Sequence, residues 1–244
     1  MSDRVLEEEV RKLRKDVDKL KDQLKREKEI REVIREQVAK EVAEQAKSKG
    51  SGCFPPNSMV QLEDGTNVAM ADIRLGQKVL SSFSNGKAKY SIVYFIAHQD
   101  DKSSTEFINI MTTGHTIKLT PDHHIYIIDG GRLHTVPARD VKVGDTVMVV
   151  SRDNSCLEEE NVTELSRSIY VGIYAPITMS GTIVVNSVLA SCYVDVVPPQ
   201  IAHPLLWPAR QLYLLAPSLS TATNIHGKDG MPIWVKWFMD NILN

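Results

Sequence analysis

The chain has 244 residues, and its 29 Lys and Arg against 31 Asp and Glu leave a net charge of -2, so no global basic field exists to hold nucleic acid. Hydrophobic residues at 42% and charged residues at 25% are ordinary globular proportions, which excludes a disordered chain, a collagen and a disulfide-dense miniprotein. Cys53, Cys156 and Cys192 are an odd number of cysteines and cannot form a fully paired intrachain framework.

The first element is a long helix. Leu6, Val10, Leu13, Val17, Leu20 and Leu24 recur at four- and three-residue intervals with charged residues between them, the seam spacing of a coiled coil. The seam breaks at Glu27 and resumes out of phase through Ile30, Ile34, Val38 and Val42, as a stutter allows. Residues 1–49 hold 15 of the basic and 13 of the acidic residues. This composition predicts a self-associating coiled-coil helix, with a solitary helix held by i,i+4 ion pairs as the weaker reading. The first residues contain no apolar stretch of signal-peptide type, and no apolar run approaches the roughly 20 residues of a spanning helix. Residues 50–52 form a Gly/Ser joint, which marks a domain boundary and fits an engineered fusion.

From residue 53 to 197 the pattern changes to short β-branched runs punctuated by Gly, Asn, Asp and Pro. Met59–Leu62, Ile92–Ile96, Ile108–Ile110, Thr116–Leu119, Ile125–Ile128, Thr146–Val150 and Ile183–Val185 predict an all-β domain. Two stretches resemble each other. Met70–Leu80 and Pro137–Met148 both place an Asp before an aliphatic residue, a basic residue, a second aliphatic residue, a turn glycine and a strand. The expectation is two similar β halves packed about an approximate two-fold.

Residues 198–244 change character again. Leu205, Leu206, Trp207, Leu212, Tyr213, Leu214 and Leu215 form an apolar patch, and Trp234, Trp237, Phe238 and Ile242 fall on one side of a second short helix. Such stripes either cover a sheet face or form a membrane- or lipid-facing surface.

The chemistry begins at Cys53, the first residue after the joint. A thiol that follows glycine can attack the preceding carbonyl, because Gly52 has no Cβ and leaves its carbon open to the nucleophile; a small buried cysteine is the plainer reading. Thr120-Pro121-Asp122-His123 sharpens the first reading. At the end of a strand, Thr120 and His123 can address one peptide bond, the hydroxyl as partner to the amide and the imidazole as proton donor to its departing nitrogen. His124 takes a structural or secondary role. No carboxylate or cysteine stands at a recognised interval from the histidine pair, so no metal site is expected.

Four ordered segments, Cys53–Val60, Leu119–His124, Gly172–Thr178 and Gly181–Tyr193, resemble the C-terminal autoprocessing domain of Hedgehog proteins, a form of the Hint (Hedgehog/intein) fold, and more narrowly the Hedgehog-related nematode warthog type. The resemblance runs from Cys53 to the C-terminus. It implies a mainly β fold of two pseudo-symmetric halves over 53–197, followed over 198–244 by a sterol- or adduct-recognition segment using Leu206, Trp207, Leu212, Trp234, Trp237 and Phe238. It also implies a two-step self-cleavage: Cys53 converts the Gly52–Cys53 bond to a thioester with help from Thr120 and His123, and a sterol hydroxyl then takes the upstream polypeptide. No cofactor is implied beyond the sterol, which is the acceptor substrate. The further partners implied are a membrane surface for the tail and no nucleic acid, in the secretory pathway.

Cys192 corresponds to the family's second active-site cysteine, expected near Cys53 and able to form a disulfide with it. The family's Asp, general base for the sterol, falls at His98, whose imidazole can accept that proton; Asp100 is the other candidate base. Cys156 matches no motif and is expected to be a surface thiol in an acidic loop. A second reading is a catalytically silent Hint-like module on a coiled-coil scaffold, binding lipid through its Trp-rich tail.

Overall fold

The computed structural model describes residues 52–194, the helix α1 (Trp207–Leu215) apart from some of its side chains, and five isolated helical positions, Arg11, Lys15, Asp18, Lys21 and Lys25. Those five are exposed and polar. The Leu/Val seam of the predicted coiled coil lies outside the described residues.

The described residues are mainly β, as the alternating runs predict. β1 (Met59–Gln61) and β2 (Asn67–Ala69) form a small ribbon. β3 (Lys78–Ser84), the 25-residue β4 (Lys87–Met111), β5 (Thr116–Leu119) and β10 (Glu164–Thr178) form a second sheet, with β4 between β3 and β10. The third sheet contains β6 (His123–Asp129), β7 (Arg132–Pro137), β8 (Thr146–Val150), β9 (Leu157–Asn161), β11 (Thr182–Val185) and β12 (Val188–Val194). Neighbouring strands are antiparallel throughout the three sheets.

One expectation needs correction. Ile92–Ile96 and Ile108–Ile110 are not separate strands but parts of β4, whose polar middle is carried by pairing with β10. Cys156 stands in the loop before Glu158–Glu160, as expected, and the three glutamates continue as a strand outside the expected runs. They lie in β9, at one end of its sheet, where solvent on both faces removes the need for alternating apolar residues. Cys156, just before β9, is an exposed free thiol.

The two resembling stretches adopt the same backbone. Each opens with a 3₁₀ turn, Met70–Asp72 in one half and Ala138–Asp140 in the other. Each then reaches a glycine in the left-handed region, Gly76 at φ 87° and Gly144 at φ 97°, which a side chain would strain. The amide of each glycine donates to a valine carbonyl at 2.8 Å, Val93 for Gly76 and Val162 for Gly144. In return those valine amides donate to Gln77 and Asp145, also at 2.8 Å. Even the side chains agree: Gln77 Oε1 accepts from Arg74 N–H at 2.7 Å and Asp145 Oδ2 from Lys142 N–H at 2.8 Å.

The main core gathers Phe54, Val60, Val79, Tyr94, Ile110, Leu119, Ile125, Val147, Ile183 and Cys192, among others, from all three sheets. A smaller cluster on the other face of the β5–β4–β10 sheet contains Cys53, Phe107, Ile173 and Ala175. Beside it β10 changes register between Val171 and Ile173 and again between Ala175 and Pro176. Gly172, at φ 101°, allows the first of these irregularities, and a Cβ there would press on the Pro56 ring and the Tyr174 ring, each 3.3 Å away. Bulges of this kind bend a strand and re-aim side chains next to a site.

Candidate active site

Cys53 enters the domain as an added edge to β10. Phe54 donates its N–H to Tyr174 O at 2.9 Å and accepts from Tyr174 N–H at 3.0 Å, which fixes the preceding Gly52–Cys53 peptide inside the protein. Gly52 and Cys53 are both buried. The amide N–H of Cys53, the nitrogen of that peptide bond, donates to Thr120 Oγ1 at 2.8 Å, and Thr120 N–H donates back to Cys53 O at 3.1 Å. Thr120 is itself buried, so the N–H of that peptide bond is met by a side chain of the opposite half, away from solvent.

The turn after β5 positions His123. His123 N–H closes on Thr120 O at 3.0 Å, Arg139 N–H donates to Pro121 O at 2.9 Å, and the Arg139 guanidinium pairs with Asp122. The imidazole is 1% exposed, stacked edge-on against Phe54 with centroids 4.3 Å apart. Nε2 lies 2.8 Å from Ser191 O; a carbonyl only accepts, so Nε2 carries the hydrogen. Burial is the main reason the ring's pKa falls to about 4, and the charge of His124 lowers it further, against the smaller favourable hydrogen bonds of the Ser191 and Gly52 backbones. The ring is therefore neutral at physiological pH. Nδ1 is then the proton-accepting nitrogen of the neutral ring.

Cys192 belongs to the main core rather than the Cys53 cluster, and no disulfide joins the two. Thr178 Oγ1 donates to Thr182 O at 2.8 Å and lies 3.5 Å from Cys192 Sγ, so the thiol donates to the threonine. Burial pushes this thiol up to about 11, which keeps it protonated. Its link to His123 runs through the chain: the preceding residue, Ser191, supplies the carbonyl that holds Nε2.

His98 is half-buried on β4, paired with Ala175 across to β10. Ala175 belongs to the Cys53 cluster and Ala97, next to His98, packs against it, so His98 stands at the margin of that cluster. Asp100 is nearby. Its carboxylate accepts from the Lys102 and Ser103 amides at 2.8 and 3.1 Å and from the Ser103 hydroxyl. These bonds, the hydroxyl's foremost, hold its pKa below the usual carboxylate range, with a smaller contribution from His98.

Several contributors escape a reading of residue types. Phe54 and the Ser191 carbonyl shape the imidazole's surroundings, and a backbone carbonyl has no signature in sequence. Asn186 accepts from Met59 N–H at 2.8 Å and donates to Thr116 O at 3.0 Å, tying β1, β5 and the β11–β12 turn together. Its φ of 49° and that of Ser187, 64°, match a tight hairpin turn; Asn-Ser between two apolar runs was the available signal.

In the tail, Trp207 is 57% exposed, and Leu214 and Leu215 are exposed on α1. Tyr94 is hydrogen-bonded by Arg210, and Tyr213 packs against the main core. Leu206, Trp234, Trp237 and Phe238 lie outside the described residues, as does the side chain of Leu212. No helix among the described residues is long and apolar enough to cross a membrane.

Residues 39–240 match the Hint module. The chain is 38% identical to Warthog protein 6 of Caenorhabditis elegans over 148 residues, which are 59% of this chain and 24% of that protein. It is 34% identical to the Sonic hedgehog protein of Danio rerio over 176 residues, 69% of this chain and 42% of the relative. The chain thus spans less than half the length of either. Among solved structures, a variant of the Ssp DnaB mini-intein superposes with a TM-score of 0.51 at 13% identity, covering 60% of this chain and 95% of the intein, a likeness of fold alone.

Proposed function

Because the chain belongs to the Hint family, we propose that its β domain cleaves its own backbone, converting the Gly52–Cys53 peptide bond to a thioester and passing the upstream acyl group to an alcohol. The observation that carries this reading is the burial of that peptide with its nitrogen on Thr120 Oγ1 and the His123 ring against Gly52.

In the first step Cys53 Sγ bonds to the Gly52 carbonyl carbon and the C–N bond breaks. The thiol proton passes to His123 Nδ1, and the imidazolium so formed returns it to the departing nitrogen of Cys53. His123 thus serves as base and then as acid, a refinement of a donor role alone. The resting ring is neutral and so can take the thiol's proton, and its low pKa makes the charged ring give that proton up readily. Thr120 holds the departing nitrogen in place. The resulting thioester is a far better acyl donor than the amide.

In the second step an alcohol oxygen bonds to the Gly52 carbon and Sγ leaves. His98, at the margin of the Cys53 cluster, accepts the alcohol's proton. Asp100 is the poorer candidate because both of its oxygens already accept hydrogen bonds. A sterol is the acceptor that the resemblance to Hedgehog proteins supports, in the secretory pathway. On this reading residues 53–197 are the autoprocessing domain, 198–244 assist the acceptor step at a membrane surface, and the self-associating helix of residues 1–49 with its joint is the cargo. The exposed Trp207, Leu214 and Leu215 support that use of the tail. Cys192, protonated and bonded to Thr178, supports the site by placing Ser191 rather than as a nucleophile.

The test is incubation of the folded chain with a panel of sterols, followed by mass measurement of the released N-terminal fragment. A fragment ending at Gly52 and heavier by one esterified sterol is expected. Sterol binding with no cleavage, unchanged by Cys53→Ala, would instead favour the silent module.

A further inference from the structure

The wall beside Cys53 carries two side chains that neither step uses. Lys118 on β5 shares a sheet face with Thr120, two residues on, and with Phe107 of β4 and Tyr170 of β10. Phe107 is fully buried in the Cys53 cluster. The Tyr170 ring meets it edge-on at 5.9 Å and 81°. Lys118 reaches across: its Nζ donates to Tyr170 Oη at 2.6 Å and stands 4.6 Å from the Tyr170 ring centroid. The result is a stack, Lys118 on Tyr170 on Phe107, at the side of the nucleophile. The next row along the face is closed by its own polar groups, since Asn109 donates to Ser166 Oγ at 3.0 Å and accepts from Ser168 Oγ at 2.7 Å.

A cation on a planar ring, with its stem laid over apolar surface, excludes water while keeping the charged head hydrogen-bonded. A thioester needs that protection, because water competes with any slower nucleophile. In hydrolysis the water oxygen bonds to the Gly52 carbon, the C–S bond breaks, and the water's protons end on Sγ and in solution, leaving a Gly52 carboxylate that can no longer be transferred. We infer that Lys118 and Tyr170 are positioning residues that shield the Gly52–Cys53 thioester from water on this side, leaving the side of Ala97, His98 and Ala175 as the approach for the acceptor. The inference rests on the thioester reading and concerns how the thioester is partitioned once formed.

The test compares two rates in each variant: release of the upstream fragment as the free acid with no added nucleophile, and release by excess dithiothreitol. Lys118→Met and Tyr170→Phe raise the ratio of the first rate to the second, by about tenfold for Lys118→Met, and Lys118→Arg, which keeps the bond to Tyr170, restores the original ratio. A residue that only stabilised the fold would lower the melting temperature and slow both rates together, leaving the ratio unchanged. An unchanged ratio in Lys118→Met and Tyr170→Phe, with normal dithiothreitol cleavage, overturns this inference alone. Absence of dithiothreitol cleavage in the unsubstituted folded chain overturns the thioester reading itself.

Discussion

Pro55–Ser58 and Thr120–His123 are the same turn used twice. In each, the fourth residue's amide closes on the first residue's carbonyl, at 3.2 Å in one and 3.0 Å in the other. In each, the proline at the second position accepts from the 3₁₀ turn of its own half, Pro56 from Ala71 N–H at 3.1 Å and Pro121 from Arg139 N–H at 2.9 Å. Ser58 and His123 therefore occupy equivalent places, and both are 1% exposed. The side chains differ. One copy delivers Cys53 just ahead of its turn and fills the fourth place with a small hydroxyl; the other supplies Thr120 and an imidazole. The duplicated backbone is thus a scaffold, and the site forms where the copies meet, through the paired bonds between Cys53 and Thr120.

Breaking the equivalence at its chemical end gives the largest effect. His123→Ala is expected to slow dithiothreitol-triggered cleavage by about 10²–10⁴-fold, the usual contribution of a positioned acid–base group. Ser58→Ala should leave that rate within about twofold, because deleting a hydroxyl that completes no bond among the described residues strands no partner. Gel densitometry of cleavage time courses reads both, and comparable losses in the two variants would make the turns functionally equal.

The next effect is on stability. His123 titrates at about 4 when folded against about 6.5 when unfolded, so between these values the unfolded chain binds the extra proton. Its contribution is complete above about pH 6.5 and is lost as pH falls toward 4 and below, amounting to about 3 kcal/mol. Chemical denaturation from pH 7 to 4 should show the wild type losing more stability than His123→Gln by about that amount; parallel curves would contradict the buried neutral ring. Asn186→Ala removes two bonds joining the halves and leaves a non-glycine residue at positive φ, at a cost of about 2 kcal/mol by the same measurement. The smallest effect separates the two glycine turns. Gly76→Ala and Gly144→Ala each cost about 1 kcal/mol for the backbone. Gly76→Ala costs more, because its Cβ would stand 3.2 Å from Tyr213 Oη of α1, whereas Gly144 faces open space.

The duplication was legible in part. The glycines at 76 and 144 announce left-handed turns, and each follows an Asp, an aliphatic residue, a basic residue and a second aliphatic residue, so Met70–Leu80 and Pro137–Met148 read as copies. The equivalence of Pro55–Ser58 with Thr120–His123 was not legible, because only a proline is common to both and the likeness resides in backbone hydrogen bonds. Thr116–Leu119 and Thr146–Val150 were readable as strands to the residue, whereas β9 was hidden by its three glutamates and β10 by Gly172 and Pro176, which mark a bulged strand as readily as a loop. Of the site, Cys53, Thr120 and His123 stood out by residue type and spacing. Phe54, the Ser191 carbonyl and the Lys118–Tyr170 stack did not, since each matters only through a neighbour distant in sequence.

The most direct trial of the account uses hydroxylamine near neutral pH, which cleaves thioesters and spares ordinary amides. Treatment of the folded chain should yield one fragment ending in a hydroxamate at Gly52 and another beginning at Cys53, seen by intact mass, with neither produced from Cys53→Ala. Persistence of the full-length mass in a folded sample, or scission at any other bond, would contradict it.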